Sequence, residues 1–331
     1  MQMYYTINNW CKMSYKNDIV EIFWKYRALK FPNDFNCFDK PYADNGRPPV
    51  FVKRTEWMNV LFNPMAERDE LFKLLELIPI TERHRWFGSM SSSQALAQSV
   101  LGNIKLASKL EYLNEIRDEE FNEDLFSPAS TNISNFSLEH KVELLKEPRK
   151  TSLDAFICGD YQIAIECKFT EADIGNCSRP DIKETNPKYS TDYCVGSYTI
   201  QRNRKQRCTL SESGISYWKH IPILFNWKSD MDLTPCPLNH TYQLVRNILS
   251  ACIKPNGIVS EDNGHALLIY DERNPAFQQS GKGFIAYMEV KKSLKNQRLL
   301  RKCSWQKILN HLRSKKELFW LTDEIKLKYG M

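Results

Sequence analysis

The chain has 331 residues, 42% of them hydrophobic and 26% charged, with a net charge of +6. That length allows one large domain with embellishments or two domains, and the composition is that of a globular rather than a disordered protein. No apolar run approaches the ~18–20 residues that span a bilayer, and the N-terminal MQMYYTINNWCKMSYKND lacks a basic stretch followed by an apolar one, so the expectation is a cytoplasmic protein without a membrane partner.

Residues 1–85 read as a mainly helical N-terminal extension. Ile19, Val20, Ile22, Phe23, Tyr26 and Leu29 recur at helical spacing, and residues 31–49, crowded with Pro, Asn, Asp and Gly, read as a loop. Asn63-Pro64 reads as an N-cap followed by proline at the first helical position. Leu71, Phe72, Leu74, Leu75 and Ile78 then supply an apolar face. Nothing in this region carries a catalytic signature, and packing is favoured over recognition.

The next helix is expected within SSSQALAQSVLGNIKLASKLEYL, capped by Ser91, Ser92 or Ser93. After a polar stretch at 122–134 the period changes to two, through TSLDAFICGDYQIAIECKFTE at 151–171. Residues 171–239 are rich in Asn, Ser, Thr, Tyr and basic side chains and read as a long, loop-rich insertion. YQLVRNILSA is expected to be a helix, HALLIYDE a buried strand and GFIAYMEV a second strand, before basic, partly apolar C-terminal helices. This order describes an α/β fold, a central mixed β-sheet flanked by helices, with its core in residues 86–170 and 240–331.

Two basic clusters stand out. Residues 291–316 contain ten Lys or Arg and no acid, and QRNRKQR spans 201–207. Such clusters suit a polyanion, and Arg202, Arg204, Lys205, Arg207, Lys291, Lys292, Lys295, Arg298 and Arg301 are the expected backbone contacts of a nucleic acid. The ten cysteines include no CxxC pair. Cys177, Cys194, Cys208, Cys236 and His240 come nearest to a metal cluster, but their spacing matches no named zinc module, so reduced thiols are expected. The SGKG at 280–283 lacks the first glycine of a phosphate-binding loop.

The hairpin carries the chemistry. In YQIAIECKF, Ala164, Glu166 and Lys168 share one face while Ile163, Ile165, Cys167 and Phe169 share the other. A two-residue turn would set Asp154 against Ile165. An odd loop, for instance 159–161, sets Asp154 opposite Glu166 and pairs Ala155 with Ile165 and Ile157 with Ile163, so that the apolar faces agree. The odd loop is therefore expected. Two carboxylates at ~5 Å repel unless one is protonated or a cation lies between them, and oxygen ligation suits Mg²⁺ or Mn²⁺.

Asp154 followed by Glu166-Cys167-Lys168 resembles the D…(D/E)xK signature of the PD-(D/E)XK nuclease superfamily. SSSQALAQSVLG, TSLD…IECKFTE and YQLVRN together resemble a bacterial restriction-endonuclease-like family within it, over roughly residues 86–271. The resemblance implies a restriction-endonuclease-like core and catalytic roles for Asp154, Glu166 and Lys168. It implies a Mg²⁺ site, with Mn²⁺ able to substitute, built from Asp154, Glu166 and the main-chain carbonyl of Cys167. Glu139 would be an added acidic ligand, with Glu143 behind it, and Gln94 would face the site. Leu153 stands where many members have proline. The expected activity is metal-dependent hydrolysis of DNA, most simply duplex DNA, in restriction or phage defence, with a homodimer plausible because a double-strand break needs two cuts. The alternative is a nuclease-fold DNA-binding protein without hydrolysis. A glycosidase acid/base pair fits poorly beside Lys168 and the basic clusters.

Overall fold

In the computed structural model, residues 2–40, 46–126, 135–147, 150–177, 185, 194, 208–212, 214–227 and 236–331 are described. The elements in chain order are α1 (Gln2–Lys30), α2 (Arg68–Glu76), α3 (Ser93–Ala97), α4 (Asn103–Leu106), β1 (Phe136–Lys141), β2 (Ser152–Ile157), β3 (Gln162–Cys167), α5 (Thr209–Glu212), α6 (Tyr217–Leu224), α7 (Tyr242–Cys252), β4 (Gly264–Tyr270), α8 (Lys282–Ser293), β5 (Leu300–Ser304), α9 (Trp305–Arg313) and α10 (Phe319–Tyr329). The five strands form one sheet in the order β1-β2-β3-β4-β5. β1, β2 and β3 pair antiparallel, whereas β3, β4 and β5 run parallel through crossovers that contain α7 and α8.

The parallel half is covered on both faces, which is why its strands read as near-continuous apolar runs. Ile163, Ile165, Leu267 and Ile269 enter one cluster with Leu96, Val100, Trp305, Ile308 and Tyr329. Ala164, Ala266 and Leu268 enter a second with Leu244 and Ile248 of α7 and Ala286, Tyr287 and Val290 of α8. The result is a three-layer α/β/α arrangement. Tyr15, Ile19, Phe23 and Tyr26 of α1 lie in the first cluster, where Phe23 meets Phe169 and Tyr329 edge-on at 6.1 and 5.9 Å.

Three local expectations need correction. Asn63 does not cap a helix: its Oδ1 accepts from Met65 N–H in a turn, and α2 starts at Arg68 after Glu67. GFIAYMEV is helical, in α8, where Gly283, Ala286, Tyr287, Val290 and Lys291 are buried at helical spacing. The missing strand is β5, whose LRKCS sits inside the run read as basic helix.

The physical reason for the last error is a distant acidic turn. Arg301 and Lys302 can lie in a buried strand because Glu123 and Glu120 face them at 3.6 and 3.8 Å. Ser304 N–H, at the strand's end, donates to Glu119 at 2.7 Å. No described helix is long and apolar enough to cross a membrane.

Candidate active site

The hairpin takes the odd-loop register: Ala155 pairs with Ile165 and Ile157 with Ile163. Continued by one residue, it sets Asp154 across from Glu166. On the other side of β2, Leu138 pairs with Ala155 and His140 with Leu153, which sets Glu139 across from Asp154. Three carboxylates thus occupy neighbouring positions on β1, β2 and β3. Glu139 has a φ of 48° and interrupts the ladder, a left-handed conformation that costs a non-glycine residue ~1–2 kcal/mol. Its Oε2 accepts from Ser152 Oγ at 2.6 Å.

Asp154, Glu166, Cys167, Lys168 and Glu139 all line one cleft of about 1190 Å³. Asp154 keeps an exposed edge toward the cleft, and its Oδ2 accepts from Cys167 N–H at 2.6 Å. Burial of its carboxyl, reinforced by Glu166 and Glu139, raises the Asp154 pKa well above the usual carboxylate range. Glu139 is also raised, by burial first, against hydrogen bonds from Ser152 and Gln94, with Glu166 adding to the rise.

Glu166 behaves oppositely. It is 3% exposed, and burial alone would raise its pKa, but Lys168 and Arg246 outweigh burial and hold it low. Lys168 Nζ lies 2.8 Å from Oε1, while Asn247 Nδ2 donates to Oε2 at 2.8 Å and Arg246 lies 3.4 Å from the same oxygen. Lys168 Nζ also donates to Gln243 Oε1 at 2.8 Å. Burial works against the ammonium of Lys168, yet Glu166, Glu171 and Asp154 keep its pKa above that of an ordinary lysine. The floor of the cleft therefore combines one firmly ionised pair with two carboxyls pushed toward neutrality.

The donor chemistry fits a hard divalent cation. Such ions take carboxylate, main-chain carbonyl and water oxygens, and a positive charge relieves the repulsion that raises Asp154 and Glu139. Among the described residues no three His, Cys, Asp or Glu side chains are already arranged to hold a metal ion. The fit therefore rests on the type of donor and on the electrostatics.

Sequence reasoning missed the contribution of α7. Gln243, Arg246 and Asn247 hold Lys168 and Glu166 from above the sheet. The signal was present: positions i, i+3 and i+4 place three polar side chains on one face of an otherwise apolar helix. Gly175, at φ 114°, lies so close to Gln243 that an added Cβ would come within 2.4 Å of its side-chain amide.

Gln94 lines the cleft as a brace. Its Oε1 accepts from His84 N–H at 2.8 Å, and its Nε2 donates to Glu82 O at 3.1 Å. Glu143 pairs with Lys150 on the surface and does not line the cleft.

The expected backbone contacts change more. Arg202, Arg204, Lys205 and Arg207 lie outside the described residues. Lys291 and Arg301, 4% and 5% exposed, are corrected to buried structural cations; Lys291 pairs with Glu120, and Arg301 faces Glu123. Arg298 pairs with Glu123 at 2.6 Å, and Lys295 donates to the carbonyls of Pro222 and Ile223 at 2.6 and 3.1 Å. Lys292 is exposed, and none of these five lines the cleft. The cleft wall instead carries Arg47, Arg85, Lys141 and Lys150, with Lys141 paired to Glu82 and Lys150 to Glu143, while Arg83, which also lines it, has its side chain buried against Glu56.

Comparison with curated proteins gives no match, and comparison with solved structures gives none. The family model described as "Restriction Endonuclease associating with ARP" matches residues 25–330, from within α1 to the end of α10, and the chain belongs to that family.

Proposed function

We propose that the protein is a metal-dependent endonuclease that hydrolyses phosphodiester bonds of DNA in a restriction or defence role. The observation that carries this reading is the opposed Asp154 and Glu166, with Lys168 beside them, at the floor of a cleft with basic walls, in a restriction-endonuclease family. Asp154, Glu166 and the main-chain carbonyl of Cys167 would hold Mg²⁺ or Mn²⁺, with Glu139 as a further acidic group. Bound there, the ion would polarise a phosphate oxygen and acidify a coordinated water.

The chain's own residues supply the rest. Lys168 remains protonated and is placed to stabilise charge developing on a phosphate or to orient a water. Arg246 and Asn247 fix the Glu166 carboxylate, and Gln243 fixes the Lys168 amine, so neither needs to reorganise when substrate arrives. Arg47, Arg85, Lys141 and Lys150 line the path of a polyanion.

One observation favours a second reading, a DNA-binding protein that does not hydrolyse: both Glu166 oxygens already have partners in Lys168, Asn247 and Arg246. Incubation of supercoiled plasmid with the protein and Mg²⁺ separates the two. Nicking that disappears with chelator and in Asp154→Ala supports the nuclease. Binding without cleavage under every divalent cation supports the alternative and sinks the first reading.

A further inference from the structure

Four cysteines lie apart from the cleft and have no part in its chemistry. They are separated by long intervals in sequence, yet Cys177, Cys208 and Cys236 meet one apolar cluster, the one that contains the start of α7. Cys194 and Cys208 are buried, at 8% and 7% exposure. Cys208 lies within the apolar cluster under α7, and Cys177 and Cys236 pack against it. Cys177 N–H donates to Asn239 O at 2.7 Å, and Asn239 N–H donates to Cys236 O at 3.1 Å, which joins the first and last of these segments.

We propose that Cys177, Cys194, Cys208 and Cys236 form a structural zinc site that fastens the 171–239 insertion to the elements holding the cleft.

Backbone geometry at two of the cysteines has the form a thiolate ligand requires. The sulfur of Cys208 accepts from the N–H groups of Leu210 and Ser211, and that of Cys236 accepts from Leu238 N–H. Amides two and three residues downstream wrap the chain around each sulfur and stabilise its negative charge. The four sulfurs are also within electrostatic reach of one another: Cys236 is influenced by Cys208, Cys194 and Cys177, and Cys208 by Cys177 and Cys194. Burial, with this mutual repulsion, pushes the thiols of Cys208 and Cys236 up, and a divalent cation reverses both effects.

His240 is not among the ligands, because its Nε2 lies 2.6 Å from Glu289. Among the described residues no three His, Cys, Asp or Glu side chains are already arranged to hold a metal ion; coordination would bring each sulfur to ~2.3 Å from one ion. Four thiolates select Zn²⁺ over Mg²⁺ or Ca²⁺. Binding involves no redox step: the thiols lose their protons to solvent, and four S–Zn bonds form.

The insertion has reason to need such a fastening, since its described helices α5 and α6 are only 4 and 8 residues long. Cys177 follows the Gly175 that packs on Gln243, and Cys236 precedes the helix that carries Gln243. Zinc would therefore clamp both supports of the Lys168 contact.

The test is metal content, so it does not depend on whether the protein cuts DNA. Full-length protein purified under reducing conditions should carry about one zinc per chain by mass spectrometry. Cys208→Ser and Cys236→Ser should lower this at least ~10-fold, and Cys158→Ser, in the hairpin loop, should leave it unchanged. If the serine variants do not fold, wild-type protein refilled with Co²⁺ supplies the second measurement. Near-ultraviolet thiolate-to-cobalt bands of four-sulfur intensity support the site. Absence of zinc after refolding with equimolar Zn²⁺, zinc retained in both serine variants, disulfides in place of thiols, or a cobalt spectrum without thiolate bands overturns it.

Discussion

Lys168→Met is the most informative single change, because it removes the charge that holds Glu166 ionised while keeping much of the side chain's bulk. The Nζ–Oε1 separation is 2.8 Å, worth ~6 kcal/mol of gross attraction at an effective dielectric of about 20. Arg246 stays at 3.4 Å, about 5 kcal/mol on the same scale, so the carboxylate is not wholly abandoned. Breaking a buried pair by removing one partner costs about 3–5 kcal/mol. With an unfolding entropy of ~2.1 cal/mol/K per residue, the melting temperature should fall by about 4–7 °C for a chain of this length. Adding Glu166→Gln should recover most of that loss, because the remaining amide is neutral and can still accept from Asn247. Calorimetry of the two single variants and the double variant, beside plasmid nicking by each, makes the check. The expected result is a double variant nearly as stable as wild type that does not cut. A Lys168→Met protein with wild-type stability and wild-type nicking would refute the reasoning on both counts.

Three further outcomes follow from the same physics. Asp154→Asn should stabilise the metal-free protein by about 1–3 kcal/mol at pH 8. The folded-state pKa of Asp154 is raised, so the cost of its charge is absent below the unfolded value near 3.9 and grows as pH rises through the folded one; equal stability of variant and wild type by urea unfolding at pH 8 would count against this. Lys328 is fully buried and donates to Asn59 Oδ1 at 2.8 Å, and burial lowers its pKa from 10.5 to about 7. Its charge costs up to about 5 kcal/mol below pH 7, and that cost fades as pH rises from 7 toward 10.5, so the advantage of Lys328→Met in urea unfolding should be larger at pH 7 than at pH 9. Lys291→Ala should cost stability and leave DNA affinity within about 2-fold, whereas Arg85→Ala with Lys141→Ala should weaken DNA binding and flatten its salt dependence by about two units of slope. Fluorescence anisotropy with a labelled duplex at several salt concentrations would expose the reverse pattern.

What the sequence by itself determined is local. Alternation of apolar and polar side chains, together with the parity of the hairpin loop, fixed the register that opposes Asp154 to Glu166. Serine chemistry placed the cap of α3 among Ser91, Ser92 and Ser93, of which Ser92 accepts from Ala95 N–H, and apolar spacing placed α7. These signals are complete within about ten residues, because turns, caps and strand alternation depend on near neighbours.

Tertiary structure decided whatever needs a distant partner. The basic run at 291–316 contains no acid and reads as a polyanion surface, yet Lys291 meets Glu120 across 171 residues and is itself buried. Gln243, Arg246 and Asn247 became supports of Glu166 and Lys168 only when α7 crossed the sheet, and the segments of Cys177 and Cys236 were joined through Asn239 only when the ends of the insertion met. A charge or a thiol has no fixed meaning until its surroundings set the cost of its ionisation. Those surroundings come from chain segments that no local pattern connects.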